Sequence, residues 1–546
     1  MERGKLVRLT NRDHRIRCRT LPCGIVAILG LWAGWGTIHA WAAEPALSEI
    51  IAACEYLSPG DIPADTFQPP SAAVYVATAA NGGSDSNSGT TITAPFEHLD
   101  KAIEYANANS STPLTIYLRG GIYLFKGPPF DPGLTIMRGN LYITAYPGEQ
   151  ATIRPYFWPG NPTDFFTERA FELTGSFENI TFARLRFEGW SIIFNPGSSL
   201  QTPPLRNLTF KDITATSFTF RDGNPGYSRE LLQTGYLTDD VYGPGKIIYD
   251  NPETAHYQAE NVILSSITLQ GVDLGVNVGD ENDANIRGMR ISNLNIVNPT
   301  RQAGGSFNDA IAVVNSFKIL IDHCRFVNIS DDGIDLKSYD TAVVNCYVER
   351  IGRNAVKFWR NGEMINTILY NVTDIDDAAI VIEEGPFRIV NSVLLGHPVG
   401  YAGGFNGDLW TTQTNRFEIV NSAFGECHAF YINTTDLHAR NNRYFDILDL
   451  ANIIEGMRTA ADAAQLNALP NCSGNAMSTN QFTNPAGGDF SPRAGSPWID
   501  AGTQTGVLLP AFDYFGNPRV VGSGIDIGPV ERQSNLTPAP SWRGYR

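Results

Sequence analysis

The sequence predicts an all-β solenoid, a stack of similar coils of about 22–25 residues each, and three observations predict it. First, three similar segments, FNDAIAVV, DDGIDLKS and RNAVKFWR, bring Asp309, Asp332 and Asn354 into one column at steps of 23 and 22 residues. Asp377, opening DAAIVIEEG another 23 residues on, is read as the next member of that column. A period of this size marks a repeat that cannot bury its apolar side alone and must stack on its neighbours. Second, short β-branched runs recur from about 134 to 445, among them ITFARLRF, KILIDHCRFV, AVVNCYV and FRIVNSVLL. Each repeat reads as strand, turn, strand, turn. Third, only 18% of the 546 residues are charged while 52 are glycine, a balance that suits turn-rich β structure.

The elements follow in chain order. Residues 1–43 carry seven Lys/Arg, Arg3 to Arg19, and two acidic residues; the stretch CGIVAILGLWAGWGTIH (23–39) is apolar and uncharged. Small residues at Ala40-Trp41-Ala42-Ala43 follow, so the segment reads as a secretory signal cleaved near Ala42-Ala43, an uncleaved anchor being the alternative. No later stretch has the apolar length to span a membrane. The expected product is a secreted protein, extracellular or periplasmic, acting as a monomer. The formal charge is −16, and the first 43 residues contribute +5, leaving a body near −21. Such a body excludes nucleic acid as a partner, and a polyanionic substrate would need a cation between.

Residues 44–70 form a proline-containing leader with an amphipathic piece at 46–57. A strand near 73–77, a Gly/Ser/Asn/Asp loop and a helix from about Pro95 to Ala108 come next, then one strand, TIYLRGGIYLF, over 115–125. The solenoid is expected over 71–450, with insertions near 221–257, rich in tyrosine, and near 399–413, containing Trp410. Long loops in a solenoid wall a groove on one side. Asn345, Asn366, Asn391 and Asn421 fall at equivalent points of successive runs and are read as stacked turn residues with a structural role. A closing module spans 451–534, and 535–546 reads as a disordered tail.

Five cysteines follow the signal: Cys54, Cys324, Cys346, Cys427 and Cys472. Cys324 and Cys346, 22 apart, are read as stacked buried thiols, with a disulfide as the alternative; a Cys54–Cys472 bridge stays open. No Cys/His cluster points to zinc.

The chemistry gathers around the shared column. In DDGIDL, Ile334 and Leu336 alternate inward and Asp335 outward; in AVKF, Val356 and Phe358 point inward and Lys357 outward. Stacking at about 4.8 Å makes Asp335 and Lys357 neighbours. Asp309, Asp331 and Asp332 lie beside them at the corners. Clustered carboxylates repel, and a hard cation, Ca2+ best of all, relieves them. The alternatives are a plain Asp335–Lys357 ion pair, or aspartates that only bond turn amides.

Two resemblances attach to these residues. The strand–loop–helix opening and the closing pieces GSPWIDAG and GNPR with DIG resemble secreted right-handed parallel β-helix proteins, in which the helix caps the first coil. More specifically, Asp331, Asp332 and Asp335 as DDxxD, Asp309 one coil earlier and Lys357 in GRNAVKFW resemble the pectate lyases of polysaccharide lyase family nine. The strong likeness covers about fifty residues. It implies a right-handed parallel β-helix, Ca2+ bound by Asp309, Asp331, Asp332 and Asp335, and Lys357 as the base of a β-elimination on an acidic polysaccharide. Lys357 would act in its neutral form, which a nearby cation favours and the aspartates alone oppose. Arg353 and Arg360, flanking Lys357, are candidates for binding substrate carboxylates. Glu383 and Glu384 are weaker candidates. Two features depart from the family: Lys337 stands where an aromatic is usual, and the glycines expected after Lys357 are absent. Three other functions compete. A β-helix hydrolase would use the aspartates as acid and base, although Arg353-Asn354-Ala355 occupies the place of its usual Gly-His-Gly. The others are a non-catalytic carbohydrate-binding cell-envelope protein and an epimerase.

Overall fold

The structure, a computed structural model, describes residues 46–125, 134–155, 169–188, 192–195, 204–216, 230–234, 257–270, 275–278, 284–298, 309–372, 378–396, 409–427, 430–432, 434–447 and 462–533. The predicted signal, Asp377, the tail after 533 and most of both insertions lie outside these residues.

The chain is the right-handed parallel β-helix that the sequence predicts, and its strands pair with those one coil away. Each complete coil presents three faces to the core, although a coil such as Ile311–Ile329 does so with the two strands expected, the first of them bent over two faces. One ladder, the first face, runs Val276, Ile311, Ile334, Val356, Ile380, Leu409. The second runs Ile321, Val343, Met364, Ile389, Ile419, Ala439. The third runs Phe326, Val348, Leu369, Leu394, Phe424, Tyr444. Long strands such as Ile311–Asp322 and Ile334–Val344 bend from the first face to the second. Inward residues of the three faces fill one continuous core. Phe358, Phe387 and Phe417 stack along it at centroid distances of 4.4 and 6.1 Å. Burying each such side chain contributes about 1.5–3 kcal/mol.

The first-face steps are 23, 22 and then 24 residues, since Ile311 faces Ile334, Ile334 faces Val356, and Val356 faces Ile380. The third step displaces the expected fourth member of the column: Ala378, not Asp377, follows Asn354. The additional residues fall between Val372 and Ile380, and Asn354 Nδ2 donates to the Ala378 carbonyl.

The corner between the second and third faces is built by asparagine. Asn345, Asn366, Asn391 and Asn421 have φ of 54°, 50°, 48° and 53°. Asparagine tolerates this left-handed region because its short amide bonds locally. Asn366 donates to Asn345 at 3.1 Å and Asn421 to Asn391 at 3.3 Å. A second run, Asn140, Asn179, Asn207 and Asn261, stacks the same way nearer the N-terminus. Cys324 and Cys346 are buried thiols in one column, donating to the carbonyls of Asp322 and Val344. Cys54 and Cys472 are unbridged and belong to different apolar clusters.

The helix spans Leu99–Ala108 and sets Leu99, Ala102, Ile103 and Ala106 against the core of the first coils. It starts later than expected because Phe96 is spent on the first strand: its amide donates to Tyr75 and its carbonyl accepts from Ala77. The single strand expected over 115–125 is two, Leu114–Leu118 and Gly121–Phe125, with the corner at Arg119-Gly120 carrying the chain from second face to third.

Two segments cover the outer faces. The leader makes a short helix, Leu47–Ile51, and sets Ile50, Ile51, Cys54, Leu57 and Ile62 against Leu320, Ala342, Val344, Ile365 and Val390 of the second face. It then runs back toward the first coils, with Asp65 paired to Lys211 and the Pro70 carbonyl accepting from Thr115. The C-terminal residues set Phe482, Phe490, Trp498, Tyr514 and Ile527 against the outer side of the third face. The first face of the coils around Ile334 and Val356 carries neither covering. Among the described residues, no helix is long and apolar enough to cross a membrane.

Candidate active site

The strand starting at Ile334 buries Ile334 and Leu336 completely, which turns Asp335 to the outer side of the first face. One coil on, Val356 and Phe358 are buried and Lys357 faces Asp335 directly in register. The two corner aspartates are held by the coil that follows each of them. Asp309 Oδ1 accepts from the Asp332 amide at 3.0 Å, and Asp332 Oδ1 accepts from the Asn354 amide at 2.9 Å. One oxygen of each carboxylate is thereby fixed to the turn, and the other remains for the cluster. Gly333 permits this corner: a Cβ there would lie 2.6 Å from the Ala355 carbonyl oxygen and 3.0 Å from Val348 Cγ1.

Asp309, Asp332 and Asp335 each present a carboxylate oxygen within 4.8 Å of the others. Lys357 Nζ stands 3.8 Å from Asp332 Oδ2 and 3.9 Å from Asp335 Oδ2. Desolvation pushes Asp309 well above the usual carboxylate range, and Asp332, Asp335 and Asp331 add to it. Asp332 is pushed up to about 7, by burial first and Asp335 second, against the pull of Lys357. Among the described residues, Asp335 Oδ1 is buried with no hydrogen-bond partner. Mutually repelling oxygens, one of them orphaned, fit a hard cation: oxygens on opposite sides of a Ca2+ ion lie about 5 Å apart. The donor set is all oxygen, which suits Ca2+ or Mg2+ and not a thiophilic metal.

Asp331 stands apart from this trio. Its carboxylate lies 3.9 Å from Arg353 Nη1, at the corner and outside the cluster. Arg353 is about half exposed, with 49% of its side chain open to solvent. Arg360 is more enclosed. It is ion-paired with Glu384, and its guanidinium lies 5.5 Å from the centre of the Tyr339 ring.

Three further residues join the site on the next outward row. Lys337 Nζ lies 3.5 Å from Asp335 Oδ2 and 4.7 Å from the centre of the Trp359 ring. Lys357 Nζ lies 5.7 Å from the same ring. The Trp359 amide donates to the Leu336 carbonyl at 3.0 Å, and Glu383 follows Trp359 one coil later. Lys337 was legible only as a departure from a family pattern, and Trp359 as part of a column not at all. The period-2 alternation that found Asp335 and Lys357 marks both: they stand two residues further along the same strands. The insertion tyrosines at 227, 236, 242 and 249 lie outside the described residues. Trp410 shares the column of Lys357 through Val381 by backbone register.

No protein-family model matches this chain, and no curated protein matches it. Its structure resembles that of pectate lyase Pel9A, with 12% identity and a TM-score of 0.40 over 84% of this chain and 96% of that one. It also resembles the A-module of mannuronan C-5 epimerase AlgE6 from Azotobacter vinelandii, with 12% identity and a TM-score of 0.36 over 70% and 96% of the two chains. A third likeness is to iota-carrageenase complexed to iota-carrageenan fragments, at 11% identity and a TM-score of 0.31 over 74% and 95%.

Proposed function

We propose that this protein is a secreted, Ca2+-dependent polysaccharide lyase that cleaves a uronic-acid-containing, pectate-like polymer by β-elimination. One observation carries the reading: a lysine amine set 3.8 and 3.9 Å from two members of a carboxylate trio on the outer side of a rigid sheet face. Asp309, Asp332 and Asp335 are the residues that would hold the cation, with Asp331 at its edge. A bound Ca2+ would supply positive charge against the substrate carboxylate, lowering the cost of the charge that develops there. Lys357 takes the proton from C5 of the uronic acid unit, which is weakly acidic because it is α to that carboxylate. Arg353, open to solvent at the rim, binds a neighbouring substrate carboxylate. Arg360, held by Glu384 and Tyr339, serves that role less directly. Export follows from the same reading, since the polymer lies outside the cell.

A second reading draws on Asp332. A carboxyl held near 7 keeps its proton close to neutral pH, as the general acid of a glycoside hydrolase must. One assay separates the two. The mature protein is incubated with polygalacturonate, alginate and glucuronan, with Ca2+ and then with chelator, while ultraviolet absorbance and reducing ends are followed. A lyase gives a Ca2+-dependent absorbance rise from the new double bond, reduced by about 10²–10⁴-fold in Lys357→Ala. Reducing ends without absorbance would transfer the reading to hydrolysis. Neither signal would leave a carbohydrate-binding role in its place.

A further inference from the structure

An elimination needs an acid as well as a base, because the oxygen that leaves C4 departs as an alkoxide unless it is protonated. The trio of aspartates is poorly placed for that duty, being committed to a cation. On the opposite side of Lys357 the next strand, Ile380–Val390, offers a different carboxyl. Val381 faces Lys357 in register, and Glu383 stands two residues along on the same outward side, since Ile380 and Ile382 are fully buried in the core. Lys357 thus lies on the strand between those of Asp335 and Glu383, with Asp335 and Val381 directly beside it and Glu383 two residues further along.

We propose that Glu383 is the general acid that protonates the departing oxygen. The inference rests on the elimination reading and adds the second proton carrier to it. Glu383 is half-buried, and its neighbour Glu384 is exposed and ion-paired with Arg360. Burial raises the Glu383 carboxyl above its ordinary range. Lys357 acts against that, Glu384 adds to it, Arg360 opposes it and Asp335 adds a little more. A carboxyl biased toward its protonated form beside an amine that must be neutral is the pairing of opposite roles that acid–base catalysis requires.

The step balances. Lys357 takes hydrogen from C5 as a proton, and the C–H electron pair becomes the C4–C5 double bond. The C4–O bond breaks with its pair going to oxygen, and Glu383 gives that oxygen a proton. Lys357 ends as an ammonium and Glu383 as a carboxylate. One proton passed from the first to the second, directly or through water, restores both, so no co-reactant is consumed.

The test compares the wild type with Glu383→Gln and Glu383→Asp on whichever of polygalacturonate, alginate and glucuronan the wild type cleaves, with thermal melts as the control for folding. Glu383→Gln should lose about 10²–10⁴-fold in kcat with KM little changed, and the alkaline limb of its pH–rate profile should disappear. Glu383→Asp should recover part of the rate. In D2O, polymer recovered from Glu383→Gln should carry deuterium at C5, because Lys357 still removes the proton while departure of the oxygen stalls. A wild-type rate and profile in Glu383→Gln would overturn the role of Glu383 and leave the lyase standing. Equal loss of exchange and elimination would also overturn it, making Glu383 a structural support. No elimination by the wild type on any of the three polymers would overturn the lyase and this acid together.

Discussion

At the residue scale, Gly333 has little freedom. It lies between Asp332 and Ile334, donates its amide to the Asn354 carbonyl at 2.8 Å, and has no room for a methyl group against Ala355. Backbone cannot give way there as a flexible side chain could. Gly333→Ala should therefore push the corner outward, cost about 1–3 kcal/mol of stability, and spread the aspartates on either side of it. Calorimetric titration with Ca2+ should show affinity weakened by about tenfold or more. A wild-type affinity in a folded variant would mean that the corner does not set the cluster. The same geometry explains why Asp332 is enclosed enough to be pushed toward neutrality while Asp331, its neighbour in sequence, turns to Arg353: adjacent residues at a corner point to different sides.

At the element scale, what repeats is a corner and a ladder. The asparagine corner holds a left-handed φ, which costs a residue with an ordinary Cβ about 1–2 kcal/mol, and its amide adds bonds that no other side chain of that size supplies. Asn421 is fully buried; Nδ2 donates to the Thr503 carbonyl at 2.9 Å, and Oδ1 accepts from the Thr503 amide at 2.7 Å. One corner thereby ties a coil to the C-terminal segment. Asn421→Ala should cost about 2–4 kcal/mol, the left-handed strain plus two buried hydrogen bonds at about 1 kcal/mol each. Denaturant unfolding measures it, and a loss below about 1 kcal/mol would mean that the ladder carries little of the stability.

At the scale of the whole molecule, the leader fastens to the second face over a row of buried charge. Glu363 and Arg388 pair at 2.7 Å with almost no exposure, Arg388 also reaches Glu418 and Glu55, and the Glu55 and Tyr56 amides donate to Glu363. Burial nonetheless pushes Glu363 up to about 7; Arg388 and the two amides lower it without outweighing the desolvation. Below about pH 4.5 both the folded and unfolded chains hold this proton. Between about pH 4.5 and 7 the folded chain keeps it and the unfolded chain releases it. Stability contributed by this group therefore falls as pH rises through that window, by at most about 1.4 kcal/mol per pH unit, and is level above it. Melting temperature against pH should show this fall, and Glu363→Gln should flatten it. An unchanged slope in the variant would assign the dependence to other carboxyls.

The fold and much of the candidate site were legible because a solenoid writes itself locally. Alternation over five residues decides which side chains leave the sheet, and the period decides which meet one coil away. Those two rules suffice for Asp309 over Asp332 and for Asp335 over Lys357. Tertiary structure alone decided the rest. It set three faces to the coil, because closing a core needs a third wall that no local pattern counts. It put Ala378 where Asp377 was expected, because pairing Val356 with Ile380 makes that step 24 residues long. It turned Asp331 to Arg353, brought Lys337, Trp359 and Glu383 into the row beside that of the lysine, and laid the leader over the second face and the C-terminal segment over the third. Those contacts join residues up to about three hundred positions apart, as between Glu55 and Glu363, where spacing in the chain carries no information about distance in space.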